Sequence, residues 1–287
     1  FKRKVGDTVS GGPAFYIEAA FKNKSLAKGL AIFFAVACIL ALGFMGNAVQ
    51  SNSIGEAFNK AFGVSPLIVG IITAILAGVV FFGGIGRIAS VTEKIVPIMA
   101  GLYIVACIVV LVMNISKLPG AIATIFYAAF NPQAALGGAL GITVKQSIRY
   151  GVSRGLFSNE AGMGSTPHAH AIAKVNHPAE QGVVAIVTVF IDTFVVLTGT
   201  ALVLVTSGIT GSTGITFTQL AFKSTMGEFG GSFIAICLFF FAFSTIIGWY
   251  FFGEANVRYL FGTENSIKVY KILVMFMIVL GSALKVE

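Results

Sequence analysis

GVSRGLFSNEAGMGSTPHAH, residues 151–170, decides how this chain is read. The stretch interrupts a sequence made mostly of long apolar runs, yet no membrane helix can be built from it. It carries Arg154, Asn159 and Glu160, the glycines Gly155, Gly162 and Gly164, then Pro167, His168 and His170. Glycine and proline weaken a helix interior. Irregular backbone at membrane depth survives only where protein or a water-filled cavity satisfies its freed N–H and C=O groups. A polar, glycine-broken segment between apolar spans is therefore a candidate binding centre.

Composition places the rest of the chain around that centre as a membrane-embedded wall. Hydrophobic residues make up 56% of it and charged residues 10%, where soluble domains run near a quarter charged. Mean hydropathy is +0.92. Cys38, Cys107 and Cys237 lie far apart inside apolar runs and read as small buried hydrophobes, with no zinc or disulfide spacing. The chain begins at Phe1 and stops at Glu287, a few residues past an apolar run, and is expected to be a piece of a longer membrane protein.

Working outward, residues 138–175 form one broken span. A half-helix over 141–156 enters, 157–165 are non-helical, and 166–175 leave. Upstream, the basic, amphipathic residues 1–29 predict a short interfacial helix in GGPAFYIEAAF. A first span covers 30–58, where Asn47, Gln50, Ser51 and Ile54 share one helical face that is expected to line a cavity. A second span covers 67–83, a charged loop 84–95, a third span 96–113, and a connector 114–136. Downstream, a fifth span over 183–206 carries Asp192. A connector over 207–230 holds a helix at 217–226. A sixth span over 231–253 carries Ser244, Thr245 and Trp249, and a seventh starts near Ile267. The expected architecture is thus an all-α polytopic bundle of about seven membrane segments, one of them broken, forming a single transmembrane domain over 1–287.

The loop charges test this parse. Alternate loops, beginning with 1–29, hold twelve Lys and Arg residues, and the intervening loops hold only Lys60, Lys117 and Lys223. The positive-inside rule makes the first set cytoplasmic, including residues 1–29. The alternation holds only if 138–175 crosses once.

Glu160 and Asn159 lie in the break. An ionisable residue at membrane depth is costly and functional by default. For Glu160 the expected role is structural or gating, accepting bonds from freed donors. The backbone from Phe157 to Gly164 is the better candidate ligand, because half-helix ends present free carbonyls and N–H groups. Ser244 and Thr245 are adjacent hydroxyls at mid-span. Each can bond back to its own helix, or the pair can give oxygen ligands to an alkali cation. Asp192 is expected to pair with Arg149 or Arg154, as buried charges do, or to move ions or protons. His168 and His170 point to different helix faces and, with His177, do not read as a metal site. Trp249 is either an interfacial anchor or a cavity wall.

The residues then become recognisable. YGVSRGLFSNEAGMGSTPHAHA (150–171) resembles the signature of the alanine/glycine:cation symporter family, sodium-coupled amino-acid transporters. GGPAFYIE (11–18), GNAVQSNSI (46–54), GGIGRIASVTEKIVPIMA (83–100), VFIDT (189–193) and FAFSTIIGWYFFGE (241–254) match in order. Met163 and Thr166 stand where Leu and Ala are more usual. The resemblance implies the leucine-transporter-like fold, two inverted five-helix repeats whose first helices are broken. On it, 138–175 opens the second repeat, and the first two core helices and the C-terminal helices lie outside this chain. It implies that Gln50, Phe157, Asn159, Gly162, Met163, Gly164, Thr245 and Trp249 face a small neutral amino acid, alanine or glycine. It implies that Phe241 (carbonyl), Ser244 and Thr245 face a sodium ion. Glu160, Asp192 and Arg154 remain structural or gating residues.

The expected function is sodium-coupled symport of that amino acid across the cell membrane. No enzymatic cofactor is implied; the partners are the amino acid, Na+ and the lipid bilayer, with no nucleic acid and no obligate protein partner. A proton-coupled amino-acid transporter is the nearest alternative, since Asp192 and Glu160 are both protonatable. An intramembrane hydrolase built on Glu160, Asn159 and the histidines, and a channel, are more distant ones. A channel needs a continuous polar pore face, whereas the polar residues here cluster at mid-span.

Overall fold

The computed structural model describes residues 2–5, 8–130 and 140–284. Twelve helices, a single 3-10 turn at Ile115–Lys117 and one short hairpin account for the regular structure among them. Strands β1 (Arg3–Val5) and β2 (Thr8–Ser10) pair antiparallel, with Arg3 opposite Ser10. Helix α1 (Pro13–Ala20) follows, started by Pro13 in its first turn, where a missing N–H costs nothing.

Helix α2 (Lys24–Phe62) is 39 residues long. At 1.5 Å per residue it spans about 58 Å, far more than a bilayer core. Asn23 caps its start, its side-chain oxygen accepting from the N–H groups of Ser25 and Leu26. A π-helical stretch, Ile39–Gly46, interrupts it at mid-length, and Gly63, with φ +68°, ends it. Helices α3 (Pro66–Phe82) and α4 (Gly84–Met113) then turn back on each other at Gly84, φ +71°. The loop expected at 84–95 is instead the first three turns of α4. Nothing in Arg87–Val96 breaks a helix, and the Arg87 guanidinium donates to the Val79 carbonyl at 3.0 Å, satisfying the end of α3. The connector expected at 114–136 is also helical as far as α5 (Leu118–Phe130). Pro119 sits in its first turn and starts the helix rather than stopping it; 131–136 lie outside the described residues.

The broken element is α6 (Leu140–Phe157), a single turn α7 (Glu160–Met163) and α8 (Pro167–Ile172); residues 138 and 139 lie outside the described residues. The remaining helices are α9 (Pro178–Ser207), α10 (Gly214–Met226), α11 (Glu228–Phe261) and α12 (Glu264–Ala283). Helix α9 contains a second π-helical stretch, Ile191–Leu197, with Asp192 in it.

Five of these, α2, α4, α9, α11 and α12, are long and apolar enough to cross a membrane, and Pro66–Phe82 and Ile115–Phe130 are shorter apolar helices. The outer surface carries large apolar side chains such as Phe33, Ile98, Phe130 and Ile186, each more than 60% exposed. A belt of that kind is stable against lipid, not water. The chain is a multi-pass, all-α membrane protein.

Helix α11 is the hub. It packs on α2, α4, α10 and α12, and the main core lies between α2, α3, α11 and α12. Close approach depends on small residues, the usual device of membrane helices. A Cβ at Gly281 would run into the backbone of Ala48, and one at Gly43 or Gly253 would meet the Tyr270 hydroxyl. The three cysteines are free and buried.

Candidate binding site at the helix break

The break is built by short-range chemistry. Helix α6 stops at Phe157. The Asn159 side-chain oxygen caps the next turn, accepting from the N–H groups of Ala161 (3.1 Å) and Gly162 (3.2 Å). Gly162 lies so near α6 that a Cβ would meet the Leu156 carbonyl, and Gly164, φ +73°, ends the turn. These glycines shape the backbone.

Three tethers then hold the break against its neighbours. The Asn159 amide nitrogen donates to the Thr193 hydroxyl of α9 at 3.3 Å. Glu160 accepts the Trp249 indole N–H of α11 at 2.8 Å through Oε1, and the Ser165 hydroxyl through Oε2. His168, at the start of α8, is buried. Its Nδ1 lies 2.8 Å from the Ser165 carbonyl, and its Nε2 lies 2.8 Å from the Asn256 amide nitrogen of α11. That pattern fits a neutral ring with its proton on Nδ1. Phe34 and Phe252 stack on the same ring, and Gly12, φ +134°, leaves room for it.

A cavity of 410 Å³ opens beside the break, within the range of small-molecule sites, roughly 300–1,000 Å³. Gln50, Phe157, Asn159, Glu160, Met163, Asp192, Thr245 and Trp249 all line it. Four segments separated by up to two hundred residues of sequence thus converge on one space. Gly162 and Gly164 do not line it; Gly162 faces a neighbouring hollow with Phe34 and Cys38. Arg154 lines an adjoining, larger cavity that shares Gln50, Asn159 and Trp249.

Several expectations need correction. The face of α2 read as cavity-lining is mostly packing surface: Asn47, Ser51 and Ile54 are fully buried, and of the four only Gln50, at the edge of that face, reaches the cavity. Among the described residues, Asp192 forms no ion pair with Arg149 or Arg154, and its Oδ2 is buried without a hydrogen-bond partner. Ser244 and Thr245 both donate to the Phe241 carbonyl, each at 2.9 Å. Thr245 faces the cavity; the Phe241 side chain faces a separate hollow with Tyr103 and Thr200. Ser158, Thr166 and Thr188 line the cavity too. Sequence reasoning missed them, because a lone Ser or Thr beside or within an apolar span carries no signal of its own.

The model of the sodium:alanine symporter family matches residues 1–287. The chain belongs to this family. Its relatives include the amino-acid carrier protein AlsT of Bacillus subtilis, 40% identical over 283 residues, covering 98% of this chain and 59% of AlsT. The sodium/alanine symporter AgcS of Methanococcus maripaludis is 42% identical over 278 residues, covering 94% of this chain and 60% of AgcS. The probable sodium/glutamine symporter GlnT of B. subtilis is 40% identical over 290 residues, covering all of this chain and 59% of GlnT. The chain spans about three-fifths of the length of these curated relatives. The family is one of symporters, not enzymes, so the hydrolase alternative is set aside.

Proposed function

We propose that this chain forms much of a sodium-coupled symporter for a small neutral amino acid, alanine or glycine, in the cell membrane. One observation carries the reading. A cavity of small-molecule size lies at a helix break and is lined by Gln50, Asn159, Thr245 and Trp249 from separate segments. Relatives named as sodium/alanine and sodium/glutamine symporters support the coupling ion and the substrate class. The order of elements, with α6–α8 as a broken helix, supports the leucine-transporter-like inverted repeat of about seven segments here, in which α6–α8 opens the second repeat. Residues 1–29 face the cytoplasm in this reading, by the asymmetry of Lys and Arg in the loops.

Gln50, Phe157, Asn159, Met163, Thr245 and Trp249 meet the amino acid. Ser244 and Thr245, with the Phe241 carbonyl, give this chain's share of a sodium site. Their bonds back to Phe241 leave both hydroxyl oxygens able to serve, and the Phe241 carbonyl, which accepts both, is freed for an ion when they turn away from it. A hydroxyl that donates its proton to its own helix still turns its oxygen lone pairs outward, and a cation binds lone pairs. Glu160 and Asn159 set the break, and Arg154 lines the adjoining cavity. Rocking of one group of helices against another then exposes the site to either side in turn.

The test is a double dissociation in the full-length protein. Gln50→Ala is expected to raise the KM for alanine tenfold or more, with the sodium curve unmoved. Ser244→Ala is expected to raise the sodium needed for half-maximal uptake, by tenfold if about 1.4 kcal/mol of ion binding is lost. Equal losses of both affinities in both variants would assign these residues to folding.

A further inference from the structure

Helix α2 opens with a row of side chains at four-residue spacing: Lys24, Lys28, Ile32, Val36 and Leu40. Residues four apart on a helix stand about 6 Å from one another along one slanting ridge. All five are exposed, and Phe33 stands clear beside them. The next row, Ala27, Ala31 and Ala35, is the packed one, with α1 and α11 against it. The exposed row is therefore charged over its first two positions and apolar over its last three.

The charge at its head is unmet. Lys22 stands just ahead of the helix, and Lys22, Lys24 and Lys28 are all exposed. Among the described residues, none of the three forms an ion pair. Glu18 is the acid nearest to them in sequence, and it is taken by Arg3 at 3.5 Å and by the Tyr259 hydroxyl at 3.3 Å. Lys60, near the other end of α2, shows the contrast, lying 3.8 Å from Glu56. The backbone carrying the three lysines is held firmly. Asn23 caps the helix between Lys22 and Lys24, and Phe15 packs edge-on against Tyr259, fixing α1 to α11.

A phospholipid has the same two-part form. Basic residues at the end of a membrane helix attract anionic headgroups. Lysine stems lie along apolar surface while their amines reach outward to phosphate. From Lys28 to Leu40 the helix rises about 18 Å. One leaflet's share of the hydrocarbon core is about 15 Å. A soluble anion would use the lysines and leave the apolar row idle, whereas an anionic lipid uses both.

We propose that Lys22, Lys24 and Lys28, with the row Ile32, Val36 and Leu40, seat one anionic phospholipid of the leaflet next to residues 1–29. The lysines hold its phosphate, and the apolar row takes an acyl chain. The proposal holds whichever side of the membrane that leaflet faces, and it depends on neither the substrate nor the coupling ion.

The test uses purified full-length protein in detergent. Its thermal stability is titrated with phosphatidylglycerol and, separately, with phosphatidylcholine of the same acyl chains. Phosphatidylglycerol is expected to reach half-maximal stabilisation at a concentration about tenfold lower. Lys22→Gln, Lys24→Gln and Lys28→Gln combined are expected to bring the two lipids within about twofold of each other. If the triple variant does not fold, Lys24→Gln and Lys28→Gln are read singly, and each is expected to narrow the gap. Lys117→Gln, which removes an exposed lysine elsewhere, is expected to keep the wild-type ratio. Glycerol phosphate, the headgroup without its chains, is expected to give no stabilisation where phosphatidylglycerol saturates. Stabilisation by glycerol phosphate at those concentrations would make this a site for a soluble anion and overturn the proposal. Equal stabilisation of wild type by both lipids would overturn it too, the result expected if another part of the full-length protein or a second copy covers this row. A wild-type ratio in the lysine variants would place the lipid preference elsewhere and likewise overturn it.

Discussion

Trp249 ties the break to the hub helix through one charge-assisted bond. Its indole N–H reaches Glu160 at 2.8 Å, while its ring covers Gly46 so closely that a Cβ there would strike it. The ring is therefore both a wall of the cavity and a strut for the turn α7. Trp249→Phe keeps most of the wall and removes the strut, leaving a half-buried carboxylate oxygen without its donor. Hydrogen bonds to charged groups are worth about 1.5–3 kcal/mol. The variant is expected to be less stable than wild type in the absence of ligand by an amount in that range, read as a lower melting temperature. An unchanged melting temperature would mean that Glu160 finds another donor and that Trp249 serves only as wall. At this scale the sequence was partly legible. Glu160 announces itself as an acid among apolar spans, but its partner Trp249 lies 89 residues away, and the pairing is set by tertiary packing. His168 shows the opposite case. Its spacing from His170 spoke against a metal site but gave it no role, whereas the fold buries it as a neutral joint between α2, α8, α11 and the Gly12 turn.

The broken element is where sequence and structure agree most closely, because its signals are local. Phe157 is followed by Ser158 and Asn159, a residue suited to capping, then by two glycines and Pro167. Each acts within a few residues of itself, so the stop, the single turn and the restart follow from their order. The turn α7 itself was not anticipated: it depends on Gly162 lying against the Leu156 carbonyl, a contact no spacing rule expresses. Helix ends set by packing were the harder case. The first turns of α4 carry Arg87, Glu93 and Lys94 and read as a loop by hydropathy, yet hydropathy reports lipid contact and not helicity. The same holds for α11, which runs on to Phe261 through Glu254 and Arg258. Those two side chains are nearly buried and pair at 2.8 Å, with Glu264 closing the network on α12. Charge there is paired within protein, so it does not end the helix.

At the scale of the molecule, the long apolar helices and their exposed Phe, Ile and Leu side chains define a body that belongs in a bilayer. The orientation proposed for it rests on where the cations lie. Single cysteines replacing Lys60, Lys117 and Lys223 are expected to react from outside the cell with an impermeant thiol reagent, and cysteines at Lys22 and Lys268 are not. The reverse pattern would invert the topology. The claim on which the rest depends is that the cavity at the break moves an amino acid together with sodium. It is tested most directly by uptake of labelled alanine into vesicles carrying the full-length protein, with external sodium replaced in turn by potassium and by choline, and with and without a pH gradient. Uptake that requires sodium and ignores the pH gradient is predicted; uptake that persists in choline and follows the pH gradient would contradict it.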